Sequence, residues 1–251
     1  MKRIESLKNP QVKQWKKLHT KKERDRAGTF LVEGFHLVEE ALTNREYVLE
    51  LIMSDTTDLP AHWNVDNIPI TIVTPEIVQE LSDTDTTQGI VAVCNQVSQK
   101  EIDINKAKLL LIDAVQDPGN LGTMIRTAEA AGLDAVIVGT GSVDTYNSKV
   151  IRSTQGAIFH IPVIRSDLNQ WISQLKEQNV PIYGSALDNA TTYREVQPSN
   201  TFALIVGNEG NGVNPSLLEQ TTRNLYIPIY GKSESLNVGV ATAILLYHLR
   251  G

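Results

Sequence analysis

Three polar loops of this 251-residue chain carry the side chains whose types and spacing could do chemistry, and each follows an apolar run. The last lies within Tyr226–Leu249, where Ser235 and Asn237 stand between a short apolar run, Leu225–Ile229, and a strongly apolar C-terminal segment. Pro228 breaks the first run, while Leu236, Val240, Ala243, Ile244 and Tyr247 recur in the second at helical spacing. The pattern predicts a strand, a polar loop Gly231–Ser235 and a helix. Ser235 fits the N-cap, since its hydroxyl can accept from a free first-turn N–H. Such a junction makes a ligand cup, because unpaired N–H groups point into it. The plainer reading is an ordinary strand–turn–helix with a capping serine.

The first loop is Asp117–Arg126, Asp-Pro-Gly-Asn-Leu-Gly-Thr-Met-Ile-Arg. Asn120 and Arg126 are six apart, so they do not share a helical face. Asn120 is expected at the cap and Arg126 nearly two turns in. An arginine beside apolar Ile125, Ala128 and Ala131 can be held at a cleft edge and reach an anion. Its plainer reading is a surface arginine after a glycine-containing turn. The second loop is Ile205–Val213, with Gly207, Gly210 and Gly212 around Glu209, the one ionisable group among them. Glycines let backbone come close to a ligand. The loop lacks the Lys-Ser/Thr ending of a phosphate-binding P-loop. Val138–Asp144 starts like a dinucleotide fingerprint, but Asp144 stands where the third glycine belongs, which argues against NAD or FAD.

These loops need elements to hold them, and the chain supplies two α/β series. In the first, residues 3–19 read as a helix with Ile4, Leu7, Val12, Trp15 and Leu18 on one side, although Pro10 interrupts it. Residues 21–26 read as a charged loop. Strands are expected at Phe30–Glu33, Leu49–Met53, Ile70–Val73 and Ile90–Val93. Helices are expected at Phe35–Thr43 and after Thr74-Pro75. A polar stretch, 96–107, reads as a linker between domains 1–98 and 107–251. In the second series Leu109–Asp113 has the unbroken apolarity of a buried parallel strand. A helix Leu121–Ala131 follows, capped by Asn120 and ended by Gly132. Further strands are expected at Ala135–Val138, His160–Ile164, Pro181–Gly184 and Phe202–Val206. Helices are expected at Ser148–Ala157, Leu168–Gln178 and Pro215–Gln220. Strands alternating with helices place both domains in the α/β class.

Composition narrows the setting. No apolar run approaches the ~20 residues that span a bilayer, and the basic N-terminus has no apolar h-region behind it, so it is not read as a secretory signal. A single cysteine, Cys94, excludes an internal disulfide and a cysteine-rich metal site. A cytoplasmic protein is expected. Net charge is −6, yet residues 1–30 carry ten Lys/Arg against three Asp/Glu, so the arm is +7 and the remainder −13. A basic arm on an acidic body can still bind RNA phosphates, because screening makes only nearby charges count. The plainer reading is a solvated helix with a lysine-rich face.

Taken together, the three loops resemble the SpoU (TrmH-like) family of S-adenosylmethionine-dependent RNA ribose 2′-O-methyltransferases, in the SPOUT superfamily. Asn120, Gly122 and Arg126 match its Asn-x-Gly-x-x-x-Arg. Gly207, Glu209 and Gly212 match its Gly-x-Glu-x-x-Gly. Ser235, Leu236, Asn237 and Val238 match its Ser-Leu-Asn-Val. Order and spacing agree over about 108–249, and the N-terminal part resembles the family's small substrate-binding domain, itself like ribosomal protein L30e.

The resemblance implies what periodicity cannot. It implies a C-terminal SPOUT domain with a parallel sheet and a deep trefoil knot, against the usual rule that chains are unknotted. It implies S-adenosylmethionine held by Gly207 with its neighbours Val206 and Asn208, by Ile227 and Pro228, and by Leu236. It also implies a homodimer and an RNA substrate, 23S ribosomal RNA ahead of transfer RNA because of the extra N-terminal domain. Arg126 takes the activating role in the family. An arginine deprotonates very reluctantly, which favours phosphate clamp and alkoxide stabiliser, with a substrate phosphate or water taking the proton. Asn120 would orient Arg126 or the ribose, and Glu209 would hold Arg126 or bind substrate hydroxyls. Ser235 and Asn237 would position the acceptor hydroxyl. Methyl transfer of this kind needs no metal, and no metal-ligand cluster is apparent. A non-catalytic RNA-binding protein of L30e type is the competing reading, disfavoured by intact Arg126, Glu209, Ser235 and Asn237.

Overall fold

Aliphatic runs become strands of two separate sheets in the structure, a computed structural model that describes residues 2–97 and 101–251. The chain divides into two units, Met1–Val97 with Tyr146–Phe159, and Ser98–Thr145 with His160–Gly251. The linker expected at 96–107 includes residues 98–100, which lie outside the described residues.

The first unit runs β1 (Lys2–Ile4), α1 (Pro10–Lys17), α2 (Lys21–Ala27), β2 (Thr29–Glu33), α3 (Phe35–Thr43), β3 (Val48–Ser54), β4 (Ile70–Val73), α4 (Pro75–Leu81) and β5 (Ile90–Asn95). Its sheet has the order β1-β4-β3-β5-β2. The long helix expected over 3–19 is not formed. Lys2–Ile4 pairs parallel with β4 instead, and the helix starts at Pro10, the first-turn position where a missing N–H costs nothing. Asn9 caps it by accepting from the Gln11 N–H at 2.9 Å. The expected charged loop 21–26 is also corrected, to helix α2. Its charges pair at helical spacing, Lys21 with Asp25 and Glu23 with Arg26, and Gly28 ends it at φ 65°. Ile4, Val12, Trp15 and Leu18 are buried with Ile52, Val73, Ile77 and Leu81, so the basic arm is part of a core.

The remaining elements are β6 (Lys108–Ile112), α5 (Pro118–Ala130), β7 (Ala135–Val138), α6 (Ser148–Thr154), β8 (Val163–Arg165), α7 (Leu168–Glu177), β9 (Ile182–Ser185), β10 (Thr191–Thr192), β11 (Phe202–Val206), α8 (Pro215–Leu218), β12 (Arg223–Tyr226) and α9 (Val238–Arg250). All but α6 belong to the second unit; α6 lies in the Tyr146–Phe159 segment of the first. The seven-stranded sheet has the order β10-β12-β9-β11-β6-β7-β8. Every pairing in it is parallel. Leu109–Ile112 and Phe202–Ile205 are fully buried, as central strands covered on both faces require. Because the strands run one way, the loops after β6, β7, β11 and β12 all leave from one edge, where open α/β sheets bind ligands.

Two expectations change here. The strand expected over Leu225–Ile229 stops at Tyr226, ahead of Pro228, which has no N–H to give a ladder. The last helix begins at Val238 and is capped by Asn237 rather than Ser235, its Oδ1 accepting from Gly239 N at 2.9 Å and Val240 N at 3.3 Å. Its buried stripe is Gly239, Thr242, Leu245, Leu246 and Leu249. Of the stripe named from the sequence, Leu236, Val240 and Tyr247 face outward, exposed by 36%, 50% and 57%, while Ala243 and Ile244 are half-buried. An all-round apolar helix offers more than one stripe, so periodicity cannot choose between them.

Candidate active site

The loop after β6 is shaped before it reaches its helix. Ala114 takes a left-handed φ of 51°, unusual for a residue with a Cβ, and turns the chain sharply. Asp117 then caps α5, its Oδ1 accepting from Asn120 N at 2.8 Å, with Pro118 at the first helical position. Asn120 is therefore not the cap that the sequence suggested. It sits inside the first turn, and its side-chain amide is left for other partners.

Both ends of that amide are used. Asn120 Nδ2 donates to Glu209 Oε1 at 3.0 Å, and Asn120 Oδ1 accepts from Asn237 Nδ2 at 2.9 Å. One line of hydrogen bonds thus joins the loops after β6, β11 and β12. Glu209 also accepts from Asp117 N at 3.0 Å and Gln116 N at 3.1 Å, so it lies across the N-terminus of α5. Burial alone would raise its carboxyl, but donation by Asn120 and by backbone N–H groups outweighs this and holds it below the usual carboxylate range. These partners replace the Glu209–Arg126 contact expected as one possibility.

The loop after β11 folds back on itself. Asn208 and Gly212 exchange backbone hydrogen bonds of 2.9 Å, and Asn208 Oδ1 accepts from Gly210 N and Asn211 N. Asn208 Nδ2 reaches Ala114 O at 2.9 Å, and Asp113 Oδ2 accepts from Asn214 N at 2.7 Å. A Cβ on Gly207 would lie 2.1 Å from the Gly212 carbonyl carbon and the Val213 nitrogen. Glycine is required there by the loop's own return, not by an opening for ligand. Val206 and Gly207 are buried, and Asn208 half-buried.

The loop after β12 is the open one. Ile227 and Pro228 are half-buried, and Ser235 and Leu236 exposed. Among the described residues, no hydrogen bond engages the backbone of residues 228–236. That lip keeps free N–H and C=O groups beside apolar side chains, which fits a ligand held by main-chain contacts against an apolar wall. Arg126 is exposed on α5, one turn beyond Thr123, and no described residue pairs with it. Thr123 faces the start of α9, its Cγ2 3.4 Å from where a Gly239 Cβ would stand. The structure thus ties Asn120, Glu209 and Asn237 together and leaves Arg126 and Ser235 presented to solvent. Sequence reasoning missed Asp113, Gln116 and Asp117. Only the Asp117-Pro118 pair signalled its role, as cap and first helical residue. Among the described residues there is no cluster of three metal-ligating side chains and no helix long and apolar enough to cross a membrane.

Comparison with known proteins adds the following. Residues 107–247 match the profile described as the SpoU rRNA Methylase family, and residues 9–92 match one described as an MRM3-like substrate binding domain. The chain is 54% identical, over 100% of both sequences, to the 23S rRNA (guanosine(2553)-2′-O)-methyltransferase RlmP of Bacillus subtilis. It is similar to the crystal structure of an AdoMet-bound rRNA methyltransferase from Sinorhizobium meliloti, with a TM-score of 0.86 at 29% identity, covering 99% of this chain and 97% of that one. A crystal structure of an RNA 2′-O ribose methyltransferase gives a TM-score of 0.84 at 28% identity, covering 98% and 97%.

Proposed function

The chain belongs to the SpoU rRNA methylase family, and on that premise we propose that it transfers a methyl group from S-adenosylmethionine to a ribose 2′-hydroxyl of 23S ribosomal RNA. A guanosine is the proposed acceptor, after the relative that matches over its full length. The observation that carries the reading is the line Asn237–Asn120–Glu209, which gathers the three motif loops at one edge of a parallel sheet.

The free backbone of 228–236, with Ile227, Pro228 and Leu236 beside it, supports a cofactor site there. Gly207, with Val206 and Asn208, supports it from beneath by holding the second loop closed. When bound, S-adenosylmethionine supplies an electrophilic methyl sulfonium. The apolar side chains leave that charge unsolvated, which favours its loss. Arg126 carries a permanent charge with no partner among the described residues, so it is available to clamp an RNA phosphate and stabilise a developing alkoxide. Glu209, anchored to the α5 N-terminus, keeps Asn120 oriented toward Asn237. Ser235 offers an unengaged hydroxyl to position the acceptor.

RNA capture by residues 1–98 and catalysis by 107–251 are part of the proposal, supported by the substrate-binding profile over 9–92. So is a homodimer, supported by the exposed apolar side chains Leu236, Val240 and Tyr247. So is the trefoil knot, which the insertion of β12 between β9 and β10 supports. A cytoplasmic location accords with a ribosomal substrate. Mapping 2′-O-methyl groups in 23S rRNA from a strain lacking the protein tests the whole. One methylated guanosine should disappear and return with the wild-type chain, and an unchanged map would refute the activity.

A further inference from the structure

Tyr230 is 82% exposed, and it lies in the same loop as Ser235, five residues before it. A phenol ring left in water gains nothing from apolar burial. Yet this ring is not unsupported. Arg194 Nη1 donates to Tyr230 Oη at 3.4 Å, and Arg194 Nε donates to Tyr193 Oη at 3.4 Å. The guanidinium carbon also stands 5.6 Å from the centre of the Tyr193 ring. Tyr193 in turn meets His248 of α9 edge-on, with centres 4.8 Å apart at 88°, and His248 Nε2 lies 2.8 Å from Val196 O. A braced ladder of ring, cation and ring therefore ends in an exposed aromatic face, with Lys232 exposed two residues further along the same loop.

Rings beside a held guanidinium and an exposed lysine suit a nucleobase joined to a phosphate. Every base has a π-face to stack on an aromatic ring or a guanidinium, and the cations meet the backbone charge. The loop also carries Ser235 and Asn237, so a base stacked at Tyr230 belongs to a nucleotide near the one whose ribose is presented. We propose that Tyr230, braced by Arg194, is the stacking platform for a nucleobase flanking the acceptor ribose of the RNA. This rests on the methyl-transfer reading above and adds to it the subsite that seats the RNA strand.

The test uses the full chain, saturating S-adenosylhomocysteine and a short single-stranded RNA containing 2-aminopurine, whose fluorescence falls on stacking. Wild type should quench it. Tyr230→Ala should abolish the quenching and weaken RNA binding roughly 5- to 150-fold, the range that one base–aromatic stack supports. Tyr230→Phe keeps the ring and should restore both. Arg194→Ala should quench less and flatten the salt dependence of binding by a slope of about 0.7, one single-strand phosphate contact. Undiminished quenching by Tyr230→Ala overturns the platform. So does a dimer that dissociates in Tyr230→Ala, which would assign the ring to an interface between copies. Calorimetric binding of S-adenosylhomocysteine is read separately. Its absence in wild type removes the methyl-transfer reading itself, whereas intact binding with unchanged quenching removes the platform alone.

Discussion

Asn237 donates through Nδ2 to Asn120 Oδ1 at 2.9 Å, across 117 residues of chain, while its Oδ1 caps α9. The two ends of one amide serve two purposes, and substitution can separate them. Asn237→Asp keeps an acceptor for the Gly239 and Val240 N–H groups, and its charge suits a helix N-terminus. It cannot donate to Asn120. It should therefore fold with a near-normal melting temperature and lose at least tenfold in methyl transfer. Asn237→Ala loses the cap as well, at a cost of about 1 kcal/mol. Equal activity in Asn237→Asp and wild type would show that the bridge to Asn120 is incidental.

Gly207→Ala should be far more damaging than an added methyl suggests. The new Cβ would fall 2.1 Å from Gly212 and Val213 backbone atoms, which no rotamer change can relieve. The loop must open, freeing Glu209 from α5. Reduced melting temperature together with lost cofactor affinity is expected. Lost affinity at unchanged stability would instead mean that the methyl intrudes on the ligand.

Glu209 makes the three-loop junction sensitive to acid. Its folded-state carboxyl lies below the ordinary value of 4.5, so its stabilising contribution is complete above that value and is lost as pH falls through the depressed one. Relative to the intrinsic exchange rate at each pH, amide protection of the Glu209 loop should fall below about pH 4.5, and should hold on moving to alkaline pH. Glu209→Gln should abolish that response and weaken the junction throughout. Its amide can accept on one side only and turns N–H groups toward the N–H of Gln116 or Asp117.

The basic arm cannot be tested by deleting it, because Ile4, Val12, Trp15 and Leu18 belong to the core. Several of its charges are also spoken for: Arg3 with Glu5 and Asp55, and Lys16 with Glu80. Lys8, Lys13, Lys17 and Lys22 are exposed lysines for which substitution leaves those pairs intact. Changing all four to Gln should preserve stability and cofactor affinity. It should lower RNA affinity and flatten its salt dependence by roughly 0.7–0.9 per lost phosphate contact. An unchanged slope would leave those lysines as a solvated face.

Much of this was legible beforehand, and the exceptions have definite causes. Apolar runs bounded by Gly, Pro and Asn located Phe35–Thr43, Ile70–Val73 and the central strands, the last most plainly because burial on both faces leaves an unbroken apolar composition. The three polar loops could be found by residue type. How they join could not, since Asn120, Asn237 and Glu209 meet only when sheet order gathers the loops after β6, β11 and β12 at one edge, with β9 between β11 and β12. Capping was misread twice for one reason. Asp117 stands three residues before Asn120, and Ser235 two before Asn237, and all four are good caps. Lys2–Ile4 was missed because a three-residue edge strand has no periodicity to read.

Arg126 offers the sharpest test. It is exposed, carries no ion pair among the described residues, and sits beside the face of α5 that meets the start of α9. A guanidinium that stabilises charge developing only in the transition state affects turnover far more than binding. Arg126→Ala should hold near-normal cofactor affinity and lose on the order of 10²–10³ in methyl transfer, the scale of one preorganised donor. Arg126→Lys keeps the charge without the planar fork and should stay badly impaired. The pH profile of single-turnover rates then separates the roles. A clamp leaves the profile's shape in place and lowers its height, whereas an arginine acting as base would impose a titration that Arg126→Lys moves. If Arg126→Ala methylates RNA at nearly the wild-type rate, the residue is a surface arginine and the proposed catalytic arrangement fails at its centre.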